Sequence, residues 1–266
     1  MKLNPKSTIA ILTDFGNDPY LGIMYGKILQ INPHANIITL TSHIKKHDIR
    51  HAAFVLANSF KNFPSQTIFL VVVDPGVGSS RQAIAAKKDE YYFIGPDNGV
   101  LSPILAENED SQIFRISIPE GVSPTFHGRD IFAPAAGRLS LNYSLKELGS
   151  RCTLQTQLTF IWDPLVSEGE VIFTDTFGNI ITNIPSSLNL ELNRNYLVKT
   201  SRTKRVMSFK RSYYEGSDIN PFLIVNSFGT IEIALRNGKA SDTIKIDPSE
   251  KIRILSVNEK EKKRIG

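Results

Sequence analysis

The chain contains one cysteine among 266 residues, which excludes an intrachain disulfide and any multi-cysteine metal site. That residue, Cys152, sits in GSRCTL with no histidine nearby in sequence, so it reads as structural and not as a nucleophile. No apolar run reaches the length that crosses a bilayer, and no membrane association is expected. At the N-terminus, Lys2 and Lys6 precede a short apolar run that meets Asp14 at once, with no small-residue cleavage site. A cytoplasmic location is therefore expected. Charge of one sign is in only modest excess, at +5 with a pI of 9.2. The densest basic groups are Lys45-Lys46, Lys87-Lys88 and the tail from Glu259 to Arg264, where Glu259 and Glu261 interrupt the cations. Basic residues spread in this way argue against a nucleic-acid surface. Internal repeats and low-complexity segments are also lacking.

What is present is an alternation of strand-like and helix-like segments through the first half. TIAILTDF and ANIITLTS read as strands, and QTIFLVVVDPG reads as a third, apolar on both faces like a central parallel strand. Between them, DPYLGIMYGKILQINP places Leu21, Met24, Tyr25, Ile28 and Leu29 on one helical face before Pro33. HDIRHAAFVLANSFKNFP does the same with Ile49, Ala52, Ala53, Leu56 and Phe60. In QAIAAKKDEYYFIGPDNG two strands flank a charged turn; SPILAENE and RDIFAPAAGRLSL read as short helices. From Glu170 onward only strands are expected, ending in DTIKI and KIRILS. The fold class is thus α/β. A mainly parallel N-terminal sheet domain over 1–160 is followed by a small antiparallel β-barrel over 168–266.

In sheets of this kind, ligands bind beyond the C-terminal ends of the strands. Asp14 and Asp74 fall there. Asp14 suits the paired hydroxyls of a ribose, although Asp14 or Asp18 capping the next helix explains the local sequence equally well. In VVVDPGVGSSR, Pro75-Gly76 turns the chain, Gly76 and Gly78 allow close backbone approach to a ligand, and Arg81 returns a cation to Asp74. Such a pair either orients a working carboxylate or simply ties a loop. The same segment mimics the acidic-x-Gly-x-Gly loop of methyltransferases, but it follows a third strand and leads to another strand, not a helix. FHGRDIFAPAA places His127, Arg129 and Asp130 at a loop-to-helix boundary, and His127 reads as an exposed loop histidine. His47 and His51 have helical spacing, yet neither the motif's Glu nor a third ligand accompanies them, so no metal is expected. In the second half, FTDTFGNIITNI combines Asp175, the aromatic face of Phe177 and the amides of Asn179 and Asn183, a set suited to a purine. A hairpin turn at Gly178-Asn179 accounts for part of it. NSFGTIEIALRNG adds Ser227, Phe228 and Glu232.

Taken in order, TDFGNDPYLG, HDIRHAA, VVVDPGVGSSR, GPDNGVL, FHGRDIFAPAA, DTFGNIITNI and NSFGTIEIA resemble the S-adenosylmethionine (SAM) hydroxide adenosyltransferase family, relatives of the nucleophilic fluorinase and chlorinase. The resemblance spans about residues 10–240 and implies hydrolysis of SAM to adenosine and methionine without a cofactor. It implies a homotrimer in which one subunit's N-terminal domain meets a neighbour's C-terminal domain at each active site. Catalytic roles are implied for Asp74, Arg81 and His127. Asp14 is implied at the ribose, with Asn179, Ser227, Glu232 and Ala234 around the adenine and Asp18 and Asp175 towards the methionine. The halogenating branch carries a Tyr where Asp74 stands, and a carboxylate repels a halide. It also carries an Arg for the methionine carboxylate where Phe228 stands. The alternatives are a non-catalytic adenosine- or SAM-binding module, which needs Asp14, Asn179 and Ser227 but not the other three, and a SAM-dependent halogenase.

Overall fold

A computed structural model describes residues 8–106 and 111–257. Lys2, Lys6, the end of SPILAENE and the charged tail from Glu259 lie outside the described residues. The chain divides into two compact units at Thr159/Phe160. Among the described residues no helix is long and apolar enough to cross a membrane.

The first unit is built on one seven-stranded sheet. β1 (Thr8–Thr13) is followed by α1 (Tyr20–Ile31), β2 (Asn36–Thr41), α2 (Ile49–Ser59) and β3 (Ile68–Val72). A hairpin of β4 (Ala83–Lys88) and β5 (Tyr91–Pro96) comes next. Then come α3 (Ser102–Leu105), β6 (Gln112–Ile116), α4 (Ala133–Leu139), α5 (Leu145–Leu148) and β7 (Gly149–Arg151). The strand order is β2-β1-β3-β5-β4-β6-β7. From β2 to β5 every pairing is parallel; β4, β6 and β7 extend the sheet antiparallel. β3 is buried at every position, as its run of Ile, Phe, Leu and Val requires. α1 packs against α4, and α2 against α3. Met24 and Ile28 form the buried stripe of α1, whereas Leu29, expected on that face, is 41% exposed.

β6, β7 and α5 were not evident from hydrophobic period, because QIFRI and GSR are too short to show one. Ser144-x-x-Glu147, a capping box in which the Glu147 carboxylate accepts from Ser144 N at 2.7 Å, is the sign that marks α5.

In the second unit every strand ladder is antiparallel and a single bridge, Phe209 to Leu223, is parallel: β8 (Glu168–Thr174), β9 (Ile180–Pro185), β10 (Asn195–Lys199), β11 (Lys204–Ser208), β12 (Phe222–Val225), β13 (Thr230–Ala234) and, after α6 (Ala240–Thr243), β14 (Lys251–Ser256). Their order is β11-β10-β14-β8-β9-β13-β12, and a bridge from Phe209 to Leu223 nearly closes the two edges into a barrel. One expectation fails here. DTIKI is not a strand: its start belongs to α6, where Ile244 N donates to Ala240 O at 2.9 Å. Ile244 and Ile246 are buried in the core without a ladder partner, so their alternation reflects burial and not pairing.

Candidate functional site

Chain order reverses beside β1, with β2 on one side and β3 on the other, so a crevice opens at the C-terminal ends of β1 and β3. Asp14 and Asp74 stand at those two ends. Asp74 accepts from Arg81 Nε at 2.9 Å through Oδ1, and its Oδ2 takes a second, very close bond from Arg81 Nη2. The same Nη2 lies 2.8 Å from His127 Nδ1. An arginine has no lone pair to offer, so Nδ1 must accept and the ring proton of neutral His127 is on Nε2. Burial and the neighbouring Arg81 cation both push the His127 pKa below its ordinary value, against the pull of Asp74 and Asp130. His127, expected to be an exposed loop residue, is 7% exposed. The side chains of Arg81 and Asp74 are equally enclosed, and the guanidinium also lies over the Phe132 ring at 5.3 Å. Three residues 46 and seven positions apart thus form one network in a low-dielectric setting, where each bond counts for more.

Two glycines bring these loops together. A Cβ on Gly78 would lie 2.5 Å from the Pro124 carbonyl oxygen, and Gly78 has φ +80°. Its close approach is therefore to the loop that carries His127, and not to a ligand as the sequence suggested. A Cβ on Gly128 would press on Met24 and Val72. Gly128 begins a single π-helical turn, Gly128–Phe132, an irregularity frequent at functional sites. Arg129 and Asp130 pair with each other at 2.6 Å, and Asp130 accepts from Ser123 N, so they hold the loop and leave His127 to face Arg81. Asn98, which the sequence did not single out, donates to Val73 O at 2.9 Å and so fixes the strand end that carries Asp74.

Asp74 and His127 line a cleft of about 220 Å³ with Asp14, Asp18, Lys46 and His47. Neither Asp14 nor Asp18 caps α1, whose N-cap is Pro19. Asp14 Oδ2 instead accepts from His47 N at 2.8 Å. His47 has φ +64° and precedes α2, so it does not share a helical face with His51. His51 is buried, and its Nδ1 accepts from Lys45 N at 3.3 Å. Burial above all lowers its pKa to about 4; Asp48 opposes this and Lys45 adds to it. An unfolded chain takes up this proton near 6.5, so below that pH the unfolded state binds more protons and stability falls, levelling off below about 4. The loss amounts to roughly 3 kcal/mol. Urea unfolding from pH 7 to pH 4 should show the advantage of wild type over His51→Asn shrinking by about that amount; an advantage independent of pH would contradict it.

In the second unit a separate pocket of about 840 Å³ is lined by Asp175, Phe177, Asn179, Ser227, Phe228 and Glu232, among others. Asp175 Oδ1 accepts from Phe177 N and Asn179 N at 2.9 and 2.8 Å, and its Oδ2 accepts from Asn179 Nδ2 at 3.0 Å. The turn therefore presents Phe177, 76% exposed, as an open aromatic face. Asn183 is not part of this pocket; its amide holds Ile161 O and Glu170 N. Ala234, implied at the adenine by the resemblance, is wholly buried opposite Phe222 in the sheet and does not line this pocket. Sequence reasoning missed Tyr213, whose hydroxyl donates to Glu232 at 2.6 Å from 19 residues away. Burial above all raises the pKa of both and the charge of Asp175 adds to it; their mutual hydrogen bond raises Tyr213 further but opposes the rise at Glu232. Among the described residues no cluster of His, Cys, Asp and Glu is arranged to hold a metal.

Residues 9–149 match the SAM hydroxide adenosyltransferase N-terminal domain, and residues 169–253 match the C-terminal domain of the same family. The (R)-S-adenosyl-L-methionine hydrolase of Salinispora tropica is 32% identical over 265 residues, covering 94% of this chain and 98% of the relative. A fluorinase from Nocardia brasiliensis is 24% identical over 211 residues, 66% of this chain and 70% of its own. The crystal structure of an uncharacterized conserved protein from Thermotoga maritima superimposes with a TM-score of 0.87 at 35% identity, covering 92% of this chain and 99% of that one. With both domains matched in order and a relative this similar along nearly its whole length, the chain belongs to the SAM hydroxide adenosyltransferase family.

Proposed function

We propose that the protein hydrolyses SAM to adenosine and methionine by in-line attack of water on the ribose C5′. The observation that carries this reading is the Asp74–Arg81–His127 network at the strand ends, together with the hydrolases that the chain matches over nearly all its length. Water's oxygen forms the new bond to C5′. The C5′–S bond breaks with its electron pair going to sulfur, so the sulfonium leaves as the neutral thioether of methionine. That departure needs no proton and hence no general acid. The proton lost by water passes to Asp74 or onward to solvent.

In this scheme Asp74 orients or deprotonates the water. Arg81, behind both Asp74 and His127, positions them, and His127 offers its Nε2 proton to the attacking oxygen. Positioning contributes up to ~7–11 kcal/mol and a base ~10²–10⁴-fold in favourable cases. The carboxylate of Asp74 opposes entry of a halide and so favours water as nucleophile.

Asp14 serves the ribose, and Asp18 and Asp175 lie towards the methionine. Phe177 stacks the adenine, whose edge meets Asn179, Ser227 and Glu232. Asp74 and His127 line the cleft of the first unit, whereas Phe177 and Asn179 line the pocket of the second, where a base would be read. This division supports a homotrimer in which a neighbour's C-terminal unit completes each site. The cytoplasm is the proposed location. Incubation with SAM in halide-free buffer, with products identified by mass, tests the reading: adenosine and methionine in equal amounts support it, and S-adenosylhomocysteine or no product refutes it.

A further inference from the structure

Three aromatic rings stand at the mouth of the cleft that holds Asp74 and His127. Phe15 and Tyr20 have centroids 5.6 Å apart, Phe15 and Phe126 6.1 Å, and Tyr20 and Phe126 5.4 Å, all edge to face. All three line the cleft, as do three carboxylates, Asp14, Asp18 and Asp74. A cluster of this kind ordinarily belongs to a core. Here Tyr20, the first residue of α1, is 46% exposed, and Phe15 and Phe126 are only partly buried. Hydrogen bonding explains none of these rings, since Phe15 and Phe126 have no polar side-chain atom to offer. Their combination with carboxylates is what a cation carrying no N–H or O–H requires: negative ring faces at contact distance and a negative field around them.

We propose that this aromatic triangle binds the sulfonium centre of the substrate by cation–π attraction and selects the charged sulfonium over the neutral thioether. The inference rests on the SAM hydrolase reading and adds to it the chemical class that the cleft distinguishes. A sulfonium is bonded to three carbons and has no proton to donate, so side-chain acceptors alone do not recognise it specifically. Arg129 already lies over Phe126 at 5.4 Å, which shows one ring of the triangle in contact with a cation and leaves Tyr20 as the most accessible ring. The positive charge disappears as the C5′–S bond breaks. The rings therefore hold the ground state more tightly than the transition state, which lowers KM and leaves the chemical step with a higher barrier by the difference. Once methionine has formed as a neutral thioether, the same contact no longer retains it.

The experiment compares wild type, Tyr20→Leu and Tyr20→Phe, each checked by thermal unfolding. It reads KM and kcat for SAM together with the inhibition constant of S-adenosylhomocysteine, the neutral thioether counterpart. Tyr20→Leu should raise KM for SAM about five-fold, change the inhibition constant less than about two-fold and leave kcat no lower. Tyr20→Phe, which keeps the ring face, should restore the wild-type ratio. Equal changes in both constants would reduce Tyr20 to a packing residue and overturn the proposal, as would a fall in kcat with KM unchanged. If Tyr20→Leu does not fold, Phe15→Leu takes its place with the same expected ratio. Wild-type turnover with an unchanged ratio in the variants would sink this inference alone. A wild-type protein inert towards SAM would sink the hydrolase reading and this inference with it.

Discussion

Asp74→Asn is expected to lower turnover of SAM by about 10²–10⁴-fold while leaving adenosine affinity within about two-fold of wild type. Asn has nearly the shape of Asp, so steric disturbance is small. What changes is the charge and one acceptor: the amide offers one oxygen where Arg81 now addresses two through Nε and Nη2. A water beside an amide is neither deprotonated nor made more hydroxide-like. In the proposed scheme adenosine affinity rests on other groups, Asp14 for the ribose and the second-unit pocket for the base, so it should survive. Stability should not survive intact. The Arg81 side chain is only 8% exposed and loses its counter-charge. Breaking a buried pair costs about 3–5 kcal/mol when one partner is removed outright, and the retained hydrogen bond places Asn below that range. Single-turnover kinetics, adenosine titration and urea unfolding of one preparation separate these effects. Full turnover with unchanged adenosine binding would remove Asp74 from the mechanism.

The second large effect is expected from a residue that does not line the cleft. Gly78→Ala should lower kcat by about 10²-fold, because displacement of a reacting group by about 1 Å has that consequence. The new Cβ would stand 2.5 Å from Pro124 O, closer than real contacts allow, so the Asp74 loop and the His127 loop must separate. The left-handed φ of +80° adds about 1–2 kcal/mol of backbone strain. Gly121→Ala is the control. Gly121 has φ +77° but open space around its Cβ position, so that variant carries the strain without the collision. Equal kcat losses in the two variants would show that strain alone matters and that the contact between the loops does not set the geometry.

Much of this arrangement was legible in the sequence, for identifiable reasons. β3 announces itself because a strand buried on both faces must be apolar at every position, and the hairpin of β4 and β5 is marked by its charged turn. The place of Asp14 and Asp74 at strand ends was legible because each follows directly on an apolar run. Contacts between distant segments were not legible. Nothing local tells that Arg81 bonds His127, that Gly78 meets Pro124, or that Tyr213 reaches Glu232. His127 looked exposed because glycine and polar neighbours surround it in sequence, whereas folding packs its loop against α1 and β3. DTIKI looked like a strand because two buried isoleucines at i and i+2 have the strand period, yet a short helix and an irregular segment bury them equally well. Short elements such as β7 and α5 fall below the length at which a period is detectable.

The central claim is that water, and no other nucleophile, attacks C5′ of SAM at a site organised by Asp74, Arg81 and His127. Turnover of SAM in water enriched with oxygen-18, followed by mass analysis of the adenosine and methionine formed, tests it most directly. The account predicts one labelled oxygen in adenosine, carried on C5′, and none in methionine. Unlabelled adenosine, a halogenated nucleoside in the presence of chloride or fluoride, or SAM recovered unchanged would contradict it.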